Sequence, residues 1–536
     1  MRGSPPAQMS TQRDLRISVK NFGPIMEGAV DLRPLSIFVG PSNTGKTYLA
    51  ILIYALHRIL QGFPRIPVLQ HKYFAWGEDE SQKDVNFENL VSKLNDDEEA
   101  VFFSDFPKPM RDYLQNVLKH EVTIAHGDTI ENGDTIADEL RIELERCFDL
   151  ESVEDLIQVS EKPNIAELSV EVREADQELW NYMMRISGSR ITAGGNIKDI
   201  EVLSDRRIGL RTRSKKEVRL LRRHLINQIR GIRGRREFFP PGLLWEILHH
   251  PLRDTTVKPY YLPAARSGIM QSHRVIAGAL VKRSARAGLE RVFEIPRFSG
   301  VLADFIQQLI FYEPRSSIVE DLSQHQSLPA IIELANVLER TTLDGHIHAS
   351  KSSPGAYPEF VYSPQEAKQN IRLSRASSMV SELAPVVLFL RGSISQGDTL
   401  IIEEPEAHLH PAAQTEMAAA LARMARCGIR VVITTHSDWL LKEIGNLMRE
   451  GELEEHIGQS PNKDRHQHSL RPQDVGVWLF HKDKGAQGST VREINFDRIE
   501  GIEPEDYEDI AEHLYNRSAA LQNQFEETSM QNSAQT

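Results

Sequence analysis

The run Gly40-Pro41-Ser42-Asn43-Thr44-Gly45-Lys46-Thr47 stands between the apolar stretch Ile37-Phe38-Val39 and the helix-forming segment Tyr48-Leu49-Ala50-Ile51-Leu52-Ile53. Strand, glycine loop and helix in that order restrict the fold more than any other part of the chain. Backbone N–H groups of such a loop surround a phosphate chain, and the helix N-terminus adds its positive end to the anion site. The expected fold class is α/β, a P-loop NTPase, with ATP or GTP as the nucleotide. Lys46 would reach the β- and γ-phosphates, and Thr47 would place its hydroxyl on Mg²⁺. Gly40, Asn43, Gly45 and Tyr48 complete the nucleotide contacts expected of this segment.

A chain of 536 residues has room for two to four domains. With 40% hydrophobic and 26% charged residues, its composition is that of an ordinary globular protein. Two cysteines, Cys147 and Cys427, make neither a disulfide framework nor a thiolate zinc site, which fits a reducing compartment. The start, Met1 to Gln12, is polar and no apolar run reaches the length of a membrane span, so a cytoplasmic location without membrane contact is expected. A net charge of −13 argues against a surface that coats nucleic acid, while leaving room for a local basic footprint.

The pattern divides the chain into four parts. Residues 13–60 hold the alternating hairpin Leu15-Arg16-Ile17-Ser18-Val19, Gly23-Pro24, Gly28-Ala29-Val30-Asp31-Leu32, then the glycine loop and a helix to about Leu60. Residues 61–255 read as an inserted, largely helical or α+β lobe, with acidic helical runs such as Asp138 to Glu145 and an alternating run from Ala166 to Val172. Residues 256–512 return to an ordered core, and 517–536, rich in Gln, Asn and Ser, are expected to be disordered. Inside the insertion, Arg206 to Arg236 holds thirteen Lys or Arg against one acidic residue, Glu217. Such a block can grip DNA or RNA phosphates, contact a protein partner, or simply form a solvated face; the absence of Phe, Tyr and Trp within it weakens base stacking.

A second constellation completes the chemistry. Thr399-Leu400-Ile401-Ile402-Glu403-Glu404-Pro405-Glu406 is an apolar strand ending in paired carboxylates. Glu403 would support Mg²⁺, directly or through water, and Glu404 would orient or deprotonate the attacking water. A third strand, Arg430 to Thr435, ends at His436-Ser437, where the imidazole would sense or polarise the γ-phosphate.

The phosphate loop, the Glu-Glu-Pro-Glu-Ala-His-Leu-His-Pro run up to Pro411 and Thr434-Thr435-His436-Ser437, in that order, resemble the ABC-type ATPase heads of the AAA15/AAA21 group. That group is similar to the ATPase half of OLD-family proteins and more distantly to RecF and SMC heads. The resemblance spans roughly 13–60 and 257–445 and implies an ABC-type head, ATP as nucleotide, a switch histidine at His436 and a dimer-contact loop from Glu406 to His410. It also implies a signature loop, here Leu373-Ser374-Arg375-Ala376-Ser377-Ser378-Met379, whose Ser377 and Ser378 would cap the partner's γ-phosphate or else only cap the following helix. Arg266, in Tyr261-Leu262-Pro263-Ala264-Ala265-Arg266, would stand near the nucleotide or the dimer interface, and Gln271 is a candidate for the glutamine that couples nucleotide state to the insertion.

A signature acting in trans makes a homodimer a consequence of the mechanism, with higher assembly left open. The segment after Ser437 reads as a β-hairpin, Asp474 to Phe480 and Val491 to Ile494, closing the head, and offers no convincing nuclease centre. The resemblance therefore implies an ATPase that senses a trigger or controls a separately encoded effector protein, as in bacterial antiphage defence. The alternative is a RecF- or SMC-like ATPase acting on DNA. A transport ATPase fits less well, because no membrane-coupling segment is apparent.

Overall fold

The computed structural model describes residues 14–60, 100–102, 136–158, 164–174, 177–197, 207–209, 257–284, 298–315, 328–350, 357–366, 369–457, 469–499, 501–502 and 513–525. In chain order, the strands before the glycine loop are β1 (Asp14–Phe22), β2 (Ile25–Leu32) and β3 (Leu35–Val39), and helix α1 (Lys46–Ile59) follows the loop. Next come β4 (Ala100–Phe102), α2 (Ile136–Phe148), β5 (Ile165–Glu174), β6 (Gln177–Ser187), β7 (Arg190–Ile197), β8 (Arg207–Gly209) and β9 (Pro259–Leu262). Then α3 (Arg266–Ser284), α4 (Gly300–Ile310) and α5 (Leu328–Leu338) precede β10 (Gly345–Ser350), β11 (Glu359–Pro364) and β12 (Ile371–Arg372). The last elements are α6 (Ser378–Gly392), β13 (Thr399–Glu403), α7 (Pro411–Arg426), β14 (Arg430–Thr434), α8 (Asp438–Ile457), β15 (Val475–His481) and β16 (Ser489–Glu493).

Eleven strands form one sheet in the order β7-β6-β5-β1-β2-β16-β15-β3-β14-β13-β9. From β15 to β9 each strand runs parallel to its neighbour, whereas β7, β6, β5, β1 and β2 pair antiparallel. β16 joins the two regions, antiparallel to β15 and parallel to β2. The fold is that of a P-loop NTPase: a mixed α/β chain built on a parallel-rich sheet. Period-2 alternation explains how helices cover both faces. Along β13, Leu400 and Ile402 enter a core shared with α5, α6 and α7, while Ile401 enters the opposite core with α1 and α2.

Register places the site. β14 lies between β3 and β13, with Thr434 opposite Phe38 on one side and Glu403 on the other. Because the three strands are parallel and in step, the glycine loop after β3, the carboxylates at the end of β13 and His436 beyond β14 all leave from one edge.

The hairpin expected after Ser437 is present as β15 and β16. Of residues 61–255, the described part is one helix and five strands, richer in strand than the acidic helical runs imply, because the alternation at Ala166–Val172 pairs β5 with β1. Only Arg207–Gly209 of the basic block falls within the described residues. Residues 513–525 are helical and lie mostly exposed, and the rest of the polar tail falls outside the described residues. Both cysteines are free. Among the described residues, no helix is long and apolar enough to cross a membrane.

Candidate functional site

The glycine loop needs backbone that side chains resist. Gly40 and Gly45 have φ of 129° and 100°, and Asn43, a residue that tolerates the left-handed region, has φ of 63°. A Cβ on Gly40 would come within 2.2 Å of the Phe480 carbonyl oxygen, so the loop can pass against β15 only with glycine there. Thr44 Oγ1 donates to the Pro41 carbonyl at 2.8 Å, and Ser489 Oγ ties the Thr44 carbonyl to β16.

Lys46 turns back under this loop. Its Nζ donates to the carbonyls of Gly40 at 2.7 Å and Pro41 at 2.6 Å, and the side chain is buried. Burial lowers its pKa to about 8, against the opposing fields of Glu404 and Glu406. A desolvated ammonium held only by carbonyls gains most from an anion brought beside it, so the loop fits a phosphate. Thr47 is exposed in the first turn of α1. Tyr48 packs its ring near Phe148 and Phe22, at centroid distances of 5.2 and 6.4 Å, on the turn between β1 and β2.

The two carboxylates divide as their strand-end position implies. Glu403 is buried and accepts from Tyr261 Oη and the Ala264 N–H, both at 2.8 Å. Glu404 is half-buried at φ of 43°, a left-handed conformation that a glutamate rarely adopts. Its N–H donates to the Thr434 carbonyl at 2.9 Å, and its carbonyl accepts from Arg266 Nη2 at 2.8 Å.

Arg266 is therefore placed behind the carboxylates. It is 1% exposed, donates also to the carbonyls of Glu403, Pro263 and Glu382, and forms an ion pair with the Glu382 carboxylate at 2.8 Å. This guanidinium fastens the strained end of β13 to α6. Burial raises the Glu382 pKa while Arg266 opposes it, and burial likewise lowers that of Arg266.

His436 lies at the end of β14, where partial burial and the Lys46 charge lower its pKa against the field of Glu404. Ser377 is the N-cap of α6, its hydroxyl accepting from the Val380 N–H at 3.4 Å, and Ser378 opens that helix. Gln271 donates to Ser381 Oγ at 3.3 Å, on the same helix. Glu406, expected to open the dimer-contact loop, turns its carboxylate inward onto Thr435 and His436.

The structure adds Tyr261 and Glu382 to the residues expected from the sequence, and turns Glu406 inward. A period-2 reading of Pro259–Leu262 would have put Tyr261 on the face opposite Tyr260, but nothing local points its hydroxyl at Glu403. Among the described residues no group of three or more His, Cys, Asp or Glu can hold a metal by itself.

Residues 304–441 match the family model of the AAA ATPase domain, a stretch that includes the Ser377 loop, both carboxylates and His436. Similar solved structures include the SMC head domain from Thermotoga maritima, 9% identical over 90% of this chain and 100% of that one, with a TM-score of 0.32. The Smc head from Pyrococcus furiosus with an extended coiled coil, bound to the C-terminal domain of ScpA, is 11% identical over 94% and 100%, with a TM-score of 0.36. That from Pyrococcus yayanosii with a coiled coil and joint is 10% identical over 91% and 98%, with a TM-score of 0.37. At these scores the likeness carries nothing further about this chain. No curated protein matches it. The phosphate loop after β3 and the neighbouring strand ends give this chain the P-loop NTPase fold, and within it residues 304–441 are similar to the AAA ATPase domain.

Proposed function

We propose that this chain is a Mg²⁺-dependent ATPase whose ATP-driven head dimerisation senses a trigger or controls a separately encoded effector, in bacterial antiphage defence. The observation that carries the ATPase chemistry is the single sheet edge at which β3, β14 and β13 deliver Lys46, His436 and the Glu403-Glu404 pair. Lys46 would hold the β- and γ-phosphates, with the loop N–H groups around them. Thr47 and Glu403 would hold Mg²⁺, which when bound supplies positive charge against the phosphates. Glu404 would orient or deprotonate the attacking water, and His436 would sense or polarise the γ-phosphate.

The dimer follows from the resemblance, in which the loop holding Ser377 and Ser378 serves the nucleotide of a second copy. ATP would then hold two heads together, and hydrolysis would release them. The basic block Arg206 to Arg236 supports a second reading, a RecF- or SMC-like ATPase that grips DNA or RNA.

The test is Glu404→Gln. The variant should bind ATP, hydrolyse it about 10²- to 10⁴-fold more slowly, and accumulate as a closed dimer by light scattering. Normal hydrolysis would remove Glu404 from its role. Purified in ATP from cells holding its neighbouring genes, the variant should carry a stoichiometric second protein. A dimer retaining only nuclease-sensitive nucleic acid would favour the second reading, and charge reversal at Arg219, Arg222 and Arg223 should then abolish that retention.

A further inference from the structure

Glu406 stands two residues beyond the residue assigned to the attacking water, in a loop expected to face a partner, yet its carboxylate is turned into its own chain. Oε1 accepts from Thr435 Oγ1 at 2.7 Å and from the His436 N–H at 2.8 Å. The receiving loop is fastened in turn: the Thr435 N–H donates to the Phe38 carbonyl of β3 at 3.0 Å, and Thr435 Oγ1 accepts from the Ser437 N–H at 3.0 Å. The loop carrying Glu406 is closed by tight turns, the Ala407 N–H on the Glu404 carbonyl and the Leu409 N–H on the Glu406 carbonyl, both at 3.0 Å. One carboxylate oxygen therefore joins the ends of β13 and β14, and through Thr435 the end of β3.

We propose that Glu406 is a positioning residue for hydrolysis, a clamp that holds His436 at a set place relative to Glu404 across the γ-phosphate site; this rests on the roles given above to those two residues. Parallel strands share hydrogen bonds only along their length, and the loops beyond them are otherwise free to shift separately. The other oxygen, Oε2, is buried with no hydrogen-bond partner among the described residues, so the carboxylate's bonds to other residues go to the histidine loop. Charge-assisted acceptance of two donors is among the stronger hydrogen-bond arrangements, and a buried one resists exchange with water. Burial raises the Glu406 pKa, while the bonds from His436 and Thr435 oppose that rise, as expected for a carboxylate kept in place by its donors.

The clamp predicts a particular pattern of rescue. A glutamine carbonyl can accept both donors, so Glu406→Gln should keep the geometry, whereas Glu406→Ala should lose it. We expect Glu406→Ala to lower kcat about 10- to 100-fold with ATP affinity within about twofold, and Glu406→Gln to recover to within about threefold of the parent. Thr435→Val, which removes one donor without changing shape, should lower kcat less and add nothing to Glu406→Ala. Hydrogen exchange of the full-length protein without nucleotide reads the clamp directly: the His436 amide should exchange about tenfold faster in Glu406→Ala and stay protected in Glu406→Gln. Unchanged protection in Glu406→Ala, or a Glu406→Gln protein as impaired as the alanine variant, would overturn the proposal, the latter by showing that the charge acts rather than the clamp. A Glu404→Gln protein assayed alongside that hydrolyses ATP at the parent rate would overturn the reading of Glu404 and leave the exchange result to judge the clamp.

Discussion

The parallel half of the sheet and the antiparallel half are hydrogen-bonded into one structure but are built for different ends. β3, β13 and β14 are buried at every position and mostly apolar on both faces, with Ser36, Thr399, Glu403, Arg430 and Thr434 as their buried polar residues. β1 and β5 instead alternate, with Leu15, Ile17 and Val19 inward and Arg16, Ser18 and Lys20 toward solvent. Lys46, Thr47, Glu403, Glu404 and His436 each end or follow a strand of the parallel half. The reason is directional: neighbouring parallel strands end on the same edge, so their loops converge, whereas hairpin-linked strands send successive loops to opposite edges.

Ion pairs test this difference most sharply, because each half contains one that links separate elements. Removing Arg266 as Arg266→Leu strands the buried Glu382 carboxylate and releases the carbonyls of Glu403 and Glu404. The expected loss is about 3–5 kcal/mol in denaturant unfolding, together with loss of ATP hydrolysis. A stable Arg266→Leu protein that hydrolyses ATP normally would remove the distinction between the halves at the site.

pH sharpens the comparison from the nucleotide side. Lys46 in the free protein has its pKa lowered from 10.5 to about 8, and a bound phosphate requires the protonated form. Nucleotide affinity should be flat below about pH 8 and fall above it, by up to about tenfold per unit, as titration calorimetry would show. Stability of the free protein should move the opposite way in the same window: between the folded and unfolded values the unfolded chain binds more protons, so folding gains as pH rises. An affinity that held constant to about pH 9.5 would mean that a lowered Lys46 pKa does not govern phosphate binding.

The smallest effect belongs to the antiparallel half. Arg185 and Glu167 pair across β5 and β6 at 2.7 Å, but their side chains are 54% and 41% exposed. Arg185→Ala should cost about 0–1 kcal/mol and leave hydrolysis unchanged. A larger loss would show that the two halves respond to a broken pair in the same way.

Local pattern made much of this legible. The hairpin of β1 and β2, the glycine loop, α1, the strand ending in Glu403-Glu404 and the strand before His436 each carry their own periodicity and end signals. The contacts that hold the site are a different matter. Tyr261 and Glu403 are 142 residues apart, Arg266 and Glu404 138 apart, and no spacing rule joins them. Glu406 was legible as a residue of the loop after the catalytic strand, but its direction was not, since that depends on the turn begun by Glu404 at positive φ. Ser377 shows the same limit: its type allows a helix cap and a phosphate contact alike, and in the fold the hydroxyl caps α6.

By itself the sequence determined which groups this protein has for phosphate chemistry and that each sits at the end of a strand or the start of a helix, because glycine placement, apolar runs and strand-end carboxylates are properties of neighbouring residues. Tertiary structure alone decided that these ends meet on one edge and that Arg266, Tyr261 and Glu406 hold them there. Strand order, register and the path of a loop beyond its strand are set by packing between segments far apart in the chain, where burial of both sheet faces and the bonding of buried polar groups leave one arrangement satisfied.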